Sequence, residues 1–230
     1  MDTNTQTIEL FSGTGSFSRV ALENGFRVKT YDICPSADEL APDTHTPSDI
    51  LDTGIAYPSR PRILWASPPC QSFSIASCST HWNKEDGFPK SDGARLGMAI
   101  LERTIQLIAD LKPDIYFIEN PRGLMRKRID PLLEKYGLTP KRETVWYCRY
   151  GDSRAKPTDI WHSAKFWEPK GWPDQRGAIC KNGNPDHAAA PRGAKTGTQG
   201  LKGARERSVI PRGLFLEIFQ QLESHEQKKH

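Results

Sequence analysis

"TIELFSGTGSFSRVALENGFRVKTYDI", Thr7 to Ile33, reads as strand, glycine loop, helix, strand. Ile8–Phe11 is a short apolar run that ends in Ser12, Gly13, Thr14 and Gly15. Phe17, Val20, Ala21 and Leu22 recur at helical spacing, and Gly25 suits a helix C-terminus. Phe26–Tyr31 alternates apolar and polar residues and ends at Asp32. Two strands joined through a helix form a βαβ unit, which predicts a parallel sheet.

The same alternation continues outward. Ile63–Ala66 and Ile115–Ile118 read as buried strands, and "TVWYCRY" (144–150) and "TDIWHS" (158–163) as two more. Leu96–Leu111 reads as a helix, with Ile100, Leu101, Ile105 and Ile108 mostly on one face. The fold class is therefore α/β: a Rossmann-like, mostly parallel open sheet with helices on both faces. Residues 163–206 break the pattern. They are rich in Gly, Pro, Lys and Arg, and "PRGAKTGTQGLKGAR" (191–205) reads as a long loop. Periodicity returns in "VIPRGLFLEIFQQL" (209–222), a helix with Pro211 at its first position, and the polar tail from Glu223 is expected to fray. The expected organisation is a core over 1–162, a small irregular basic region over 163–206, and a helix over 207–230 that returns to the core.

A chain of 230 residues with 36% hydrophobic content can bury one sizeable core. It has no stretch of transmembrane length and no basic-then-apolar leader, so a cytoplasmic protein without membrane contact is expected. The net charge of +4 is unevenly spread: Lys141–Arg212 holds 15 Lys/Arg against 7 Asp/Glu, which points to a polyanion partner. The 5 cysteines are scattered and do not form a disulfide framework. Cys148, His162, Cys180 and His187 raise the question of zinc. No Cys-x-x-Cys pair supports it, so no metal is expected. Trp161, Trp167 and Trp172 are expected to anchor a region poor in other apolar residues.

Gly13 and Gly15 after a strand let backbone approach a ligand. The dinucleotide fingerprint needs a third glycine where this chain has Ser18, which disfavours a nicotinamide dehydrogenase. Asp32 ends the second strand, where a carboxylate accepts ribose hydroxyls. A ribose-binding acid beside a loop without a phosphate cradle suits S-adenosylmethionine; a tight turn next to a surface acid is the alternative. "ILWASPPCQSFSIAS", Ile63 to Ser77, runs a buried strand into two prolines that stop regular structure, leaving Cys70 on a stiff loop at a strand end. Such a position suits a nucleophile aimed by a rigid scaffold, although a lone cysteine is most often core.

Together these motifs resemble the DNA (cytosine-5)-methyltransferase family. "ELFSGTGSF" is similar to its glycine loop, "SPPCQSFS" to its nucleophile loop, "ENPRG" to its Glu-Asn motif, "YGDSRAKPTDIW" to its Tyr-Gly motif and "RSVIPRGLFLEI" to its C-terminal helix. The resemblance implies methyl transfer from S-adenosylmethionine to C5 of a cytosine flipped out of double-stranded DNA, by an enzyme that suits a monomer. It implies Cys70 as the nucleophile that adds to C6, and Glu119 as the group that stabilises charge at N3, with Asn120 holding the loop. Arg154 and Lys156 stand where the family contacts the base or phosphates. For the cofactor it implies Phe11, Ser12, Gly13, Thr14 and Gly15 in the loop, Asp32 with Ile33 at the ribose, Asp49 with Ile50 near the adenine amino group, Pro69 on the methyl side, and Ser208. Two departures stand out: Thr158 replaces the family's last arginine of the Tyr-Gly motif, and Arg207 precedes Ser208 where the family has asparagine. The short basic region would read a short site, and the compact length fits a prokaryotic or bacteriophage enzyme that protects or marks DNA. An RNA-directed relative and a catalytically idle DNA-binding relative are the competing readings.

Overall fold

A computed structural model describes residues 5–34, 44–75, 78–181, 184, 187–188, 201 and 203–229. The opening βαβ unit forms as read: β1 (Gln6–Leu10), α1 (Ser16–Glu23) and β2 (Arg27–Asp32), with β1 and β2 parallel. β3 (His45–Pro47), β4 (Ile63–Ala66), α2 (Cys78–His81), α3 (Asp92–Leu111), β5 (Ile115–Pro121) and α4 (Asp130–Lys135) follow. β6 (Lys141–Trp146), β7 (Pro157–His162), α5 (Ala204–Ser208) and α6 (Arg212–Gln227) complete the chain. Among the described residues a single sheet runs in the order β3-β2-β1-β4-β5-β7-β6. Pairing is parallel from β3 through β5, and β7 is antiparallel to both its neighbours.

Strand alternation splits the core between the two faces. Ile63 and Trp65 of β4 join Phe17 and Val20 of α1 and Leu214, Phe215 and Ile218 of α6. Leu64 and Ala66 point the other way, to Leu101, Ile105 and Ile108 of α3 and Leu133 of α4. The period of 2 thus places helices on both faces, as expected of an interior strand. Trp161 and Trp167 are buried and Trp172 packs against the core, so the tryptophans act as anchors.

Four local readings change. The stretch read as one strand over 144–150 ends at Trp146, and Tyr147–Tyr150 wind into a 3₁₀ turn. α3 starts four residues earlier than its apolar repeat, because the Ser91 hydroxyl accepts from the Ala94 amide at 3.1 Å and caps it. Pro211 is extended (φ −64°, ψ 132°) and caps α6 instead of opening it. α6 continues to Gln227, so most of the predicted fraying tail is helical. The short β3, which adds a strand on β2, carries no periodic signal over its three residues. Much of the loop read over 191–205 lies outside the described residues.

Candidate active site

The strand order reverses between β1 and β4: the chain leaves β1 towards β2 and β3, then returns to β4 on the other side. Open α/β sheets bind ligands in the crevice outside the strand ends at this point. A cavity of about 490 Å³ lies there. It is lined by Phe11 after β1, Asp32 at the end of β2, Pro69 and Cys70 after β4, and Glu119 near the end of β5.

Cys70 begins a 3₁₀ turn over Gln71–Phe73 and its carbonyl accepts from the Phe73 amide at 3.0 Å. The turn is held from three sides. Asn120 of β5 donates through Nδ2 to the Pro68 carbonyl at 2.9 Å, the tether expected of it. The Trp82 indole donates to the Ser72 carbonyl at 2.6 Å. Two glycines let backbone and helix close on the turn: a Cβ on Gly97 of α3 would lie 2.3 Å from Ser72 Oγ, and one on Gly123 would lie 2.4 Å from the Phe73 carbonyl oxygen. The "ENPRG" glycine is thus needed for space behind the nucleophile turn.

Cys70 is half-buried, and burial pushes its thiol up; Lys156 pulls it down, Glu119 pushes it up, and Arg207 pulls it down. Glu119 is buried, and its Oε1 accepts from the Tyr147 hydroxyl at 2.8 Å. Burial and the neighbouring Glu119 keep the Tyr147 phenol well above its ordinary value, so it stays a donor. Lys156 Nζ lies 4.7 Å from the centre of the Tyr147 ring and 3.4 Å from the Arg207 carbonyl, to which it donates.

At the glycine loop, Gly13 N–H donates to Asp32 Oδ2 at 2.9 Å and Cys34 N–H to Oδ1 at 2.8 Å, so the carboxylate is fixed facing the cavity. The first amides of α1 point elsewhere. Phe17 N–H and Ser18 N–H donate to Glu9 at 3.3 and 2.9 Å, and the Ser18 hydroxyl also donates to Glu9. A helix N-terminus is where a dinucleotide's pyrophosphate binds. Here the chain's own buried carboxylate fills that position, which disfavours NAD and fits a phosphate-free cofactor. Asp49, Ile50 and Ile33 line the far end of the same cavity.

The C-terminal segment closes the cavity with Arg207, Ser208 and Ile210, and Ile210 N–H donates to Ser16 Oγ at 3.2 Å. Of the residues expected at the cofactor, Gly15 does not line the cavity; it caps α1. Arg154 also departs from its expected place. It is buried, ion-paired with Asp152, and donates to the carbonyls of Arg207 at 3.0 Å and Val209 at 2.8 Å. Its guanidinium clamps the segment that carries Ser208 and does not line the cavity.

A sequence profile described as C-5 cytosine-specific DNA methylase matches residues 5–136, more than half the chain. The chain belongs to the C-5 cytosine-specific DNA methylase family. A relative called "Probable DNA (cytosine-5)-methyltransferase", from Frog virus 3 (isolate Goorha), is 27% identical over 92% of this methylase and 97% of the relative. The type II methyltransferase M.SacI of Streptomyces achromogenes is 26% identical over 60% of the chain and 37% of its own length. The crystal structure of S. pombe Dnmt2 methyltransferase superposes with a TM-score of 0.46, at 15% identity over 68% of the chain and 48% of the other. The methylase thus spans nearly all of its viral relative and under half of the bacterial one. The family acts on DNA and draws its methyl group from S-adenosylmethionine.

Three participants were not legible in the methylase sequence. Tyr147 falls inside a stretch that reads as a strand, and the 3₁₀ turn aims it at Glu119. Glu9 lies within β1, where no sequence pattern reports that it accepts from the first amides of α1. Arg207 read as a departure, yet it lines the cavity and pulls on the Cys70 thiol. The ground for expecting no metal also changes. Sequence spacing separates Cys148, Cys180 and His187, but the fold brings their donor atoms within 4.8 Å of one another. His162 stands apart from them, stacked on Phe117 and edge-to-face with Trp167.

Proposed function

We propose that this DNA (cytosine-5)-methyltransferase flips a cytosine out of duplex DNA and methylates C5 through a covalent Cys70–C6 adduct. The carrying observation is that Cys70 follows the C-terminal end of β4, Glu119 lies near that of the adjacent parallel β5, and both line one cavity. S-adenosylmethionine, when bound, supplies an electrophilic methyl group. Asp32 would accept its ribose hydroxyls and Asp49 would face its adenine, with Phe11, Ile33 and Ile50 as apolar walls and Pro69 and Ser208 nearer the methyl end. C5 of cytosine is a poor nucleophile until C6 carries an electron-releasing adduct. Lys156 and Arg207 favour the Cys70 thiolate, which adds to C6. Negative charge then develops at N3, which shares the proton of the Glu119 carboxyl, itself held by Tyr147. C5 takes the methyl group as its bond to the sulfonium breaks, leaving S-adenosylhomocysteine; the C5 proton goes to water, the Cys70–C6 bond breaks to release the thiolate, and N3 gives the shared proton back to Glu119.

The cofactor and base machinery lies over 1–162 with the returning segment 207–230, and 163–206 supplies the recognition region. Flipping costs roughly a few kcal/mol, which phosphate contacts to the basic region offset. A monomer acting in the cytoplasm of a prokaryotic or phage-infected cell, protecting DNA against cleavage or marking it, completes the reading. The test is transfer of labelled methyl from S-adenosylmethionine to duplex DNA and, in parallel, to tRNA, with Cys70→Ala as control. Label at cytosine C5 of DNA, abolished in the variant, is expected. Transfer to tRNA alone would replace the substrate; no transfer with intact duplex binding would leave a binding protein.

A further inference from the structure

The turn that carries Tyr147 is joined to the start of the recognition region by more than packing. Trp146 N–H donates to the Ala178 carbonyl at 2.8 Å and Trp172 N–H to the Arg149 carbonyl at 2.8 Å. Arg149 Nε donates to the Ile179 carbonyl at 3.1 Å. Where these segments meet, Cys148 from the turn faces Cys180 and His187, and the three donor atoms all lie within 4.8 Å of one another. Cys180 is buried, and its sulfur lies 3.5 Å from His187 Nδ1. Both cysteines are free.

We propose that Cys148, Cys180 and His187 bind a single zinc ion that fastens the recognition region to the catalytic turn. Zinc–sulfur bonds of about 2.3 Å and zinc–nitrogen bonds of about 2.0–2.1 Å in a tetrahedron put S and N about 3.6 Å apart. The Cys180–His187 distance of 3.5 Å already matches that edge. Two thiolates and an imidazole select zinc over magnesium or calcium, which prefer oxygen. Among the described residues no fourth Cys, His, Asp or Glu joins the group, so these three are the ligands assigned. The role is structural. The group holds no carboxylate to act as a base, and its three side chains do not line the cofactor cavity. A region with few apolar residues gains from such a staple. Cys148 also adjoins Tyr147, so the ion would steady the donor that holds Glu119.

The site is independent of the methyl-transfer reading, and its test does not use activity. The full chain is purified with its thiols reduced and its zinc content is measured by elemental analysis. Zinc affinity is then read by competition with a chromophoric chelator, and cobalt(II) is substituted to read the thiolate charge-transfer and tetrahedral d–d bands. Cys148→Ser, Cys180→Ser and His187→Gln are compared with Cys78→Ser. The expected result is one zinc per chain, tetrahedral cobalt spectra with thiolate bands, and at least a tenfold loss of affinity in His187→Gln with none in Cys78→Ser. His187 is only partly buried, so its variant keeps the test readable if a cysteine variant fails to fold. Three results would overturn the proposal: no zinc bound by reduced wild-type protein, equal affinity in all variants, or a Cys148–Cys180 disulfide in protein purified without reductant, seen as a thiol count two short of the 5 cysteines.

Discussion

At the scale of single residues, the account rests on what surrounds Cys70 and Glu119. Lys156 is the foremost group pulling the Cys70 thiol down against the upward push of burial. Replacing it with methionine removes that pull, so the thiol moves further up and less thiolate exists at any given pH. The pH midpoint for alkylation by iodoacetamide, followed by mass spectrometry on the Cys70 peptide, is expected to rise in Lys156→Met; an unchanged midpoint would place the ammonium elsewhere. Tyr147→Phe removes the donor to Glu119. Leaving a buried carboxylate oxygen short of a partner costs about 1–3 kcal/mol. Turnover is expected to fall about tenfold or more, with binding of S-adenosylmethionine little changed, because Tyr147 does not line the cavity. A lowered affinity with normal turnover would contradict this. The functional cysteine was legible because prolines and a strand end leave few other uses for it. Tyr147 was not, since its aim depends on a turn that interrupts a strand pattern.

At the scale of elements, the Arg154 clamp joins the turn after the 3₁₀ segment to the chain entering α6. Its guanidinium satisfies Asp152 and the carbonyls of Arg207 and Val209, in a site where both charged partners are nearly buried. Breaking a buried ion pair from one side costs about 3–5 kcal/mol. Arg154→Met is therefore expected to lower the unfolding midpoint and weaken S-adenosylmethionine binding together, as seen by calorimetry of unfolding and of cofactor titration. Normal cofactor affinity in a destabilised variant would sever the clamp from the cavity. The strands and long helices could be read from their periods, because burial on one or both faces dictates where apolar residues fall. The ends could not. α3 begins at a serine cap ahead of its apolar repeat, and the clamp depends on carbonyls, which no sequence pattern reports.

At the scale of the whole molecule, two buried groups give opposing pH dependences. His162 is buried, and burial pushes it down from 6.5 to about 4. Its contribution is present above pH 6.5 and is lost as pH falls towards 4. Burial pushes Glu9 up from 4.5 to about 7, so its contribution is present below pH 4.5 and is lost as pH rises through 7. Between 4.5 and 6.5 the two slopes oppose each other. His162→Phe removes the rising slope and leaves the falling ones of Glu9 and of Glu217, which burial also pushes up, so stability would fall as pH rises from 4.5 towards 7. Urea unfolding at a series of pH values checks this; a stability that still rises with pH in the variant would contradict it.

The central claim is the bond between Cys70 and the cytosine ring, and a trapped adduct tests it most directly. A long duplex in which every cytosine carries fluorine at C5 needs no knowledge of the target sequence. Fluorine cannot leave as a proton does, so the adduct persists after methyl transfer. The protein is incubated with this DNA and S-adenosylmethionine, digested, and mapped by mass spectrometry. The account predicts a methylated fluorocytosine on the peptide containing Cys70, and none with Cys70→Ala. An adduct on another cysteine, or C5 methylation of ordinary duplex DNA that survives in Cys70→Ala, would contradict it.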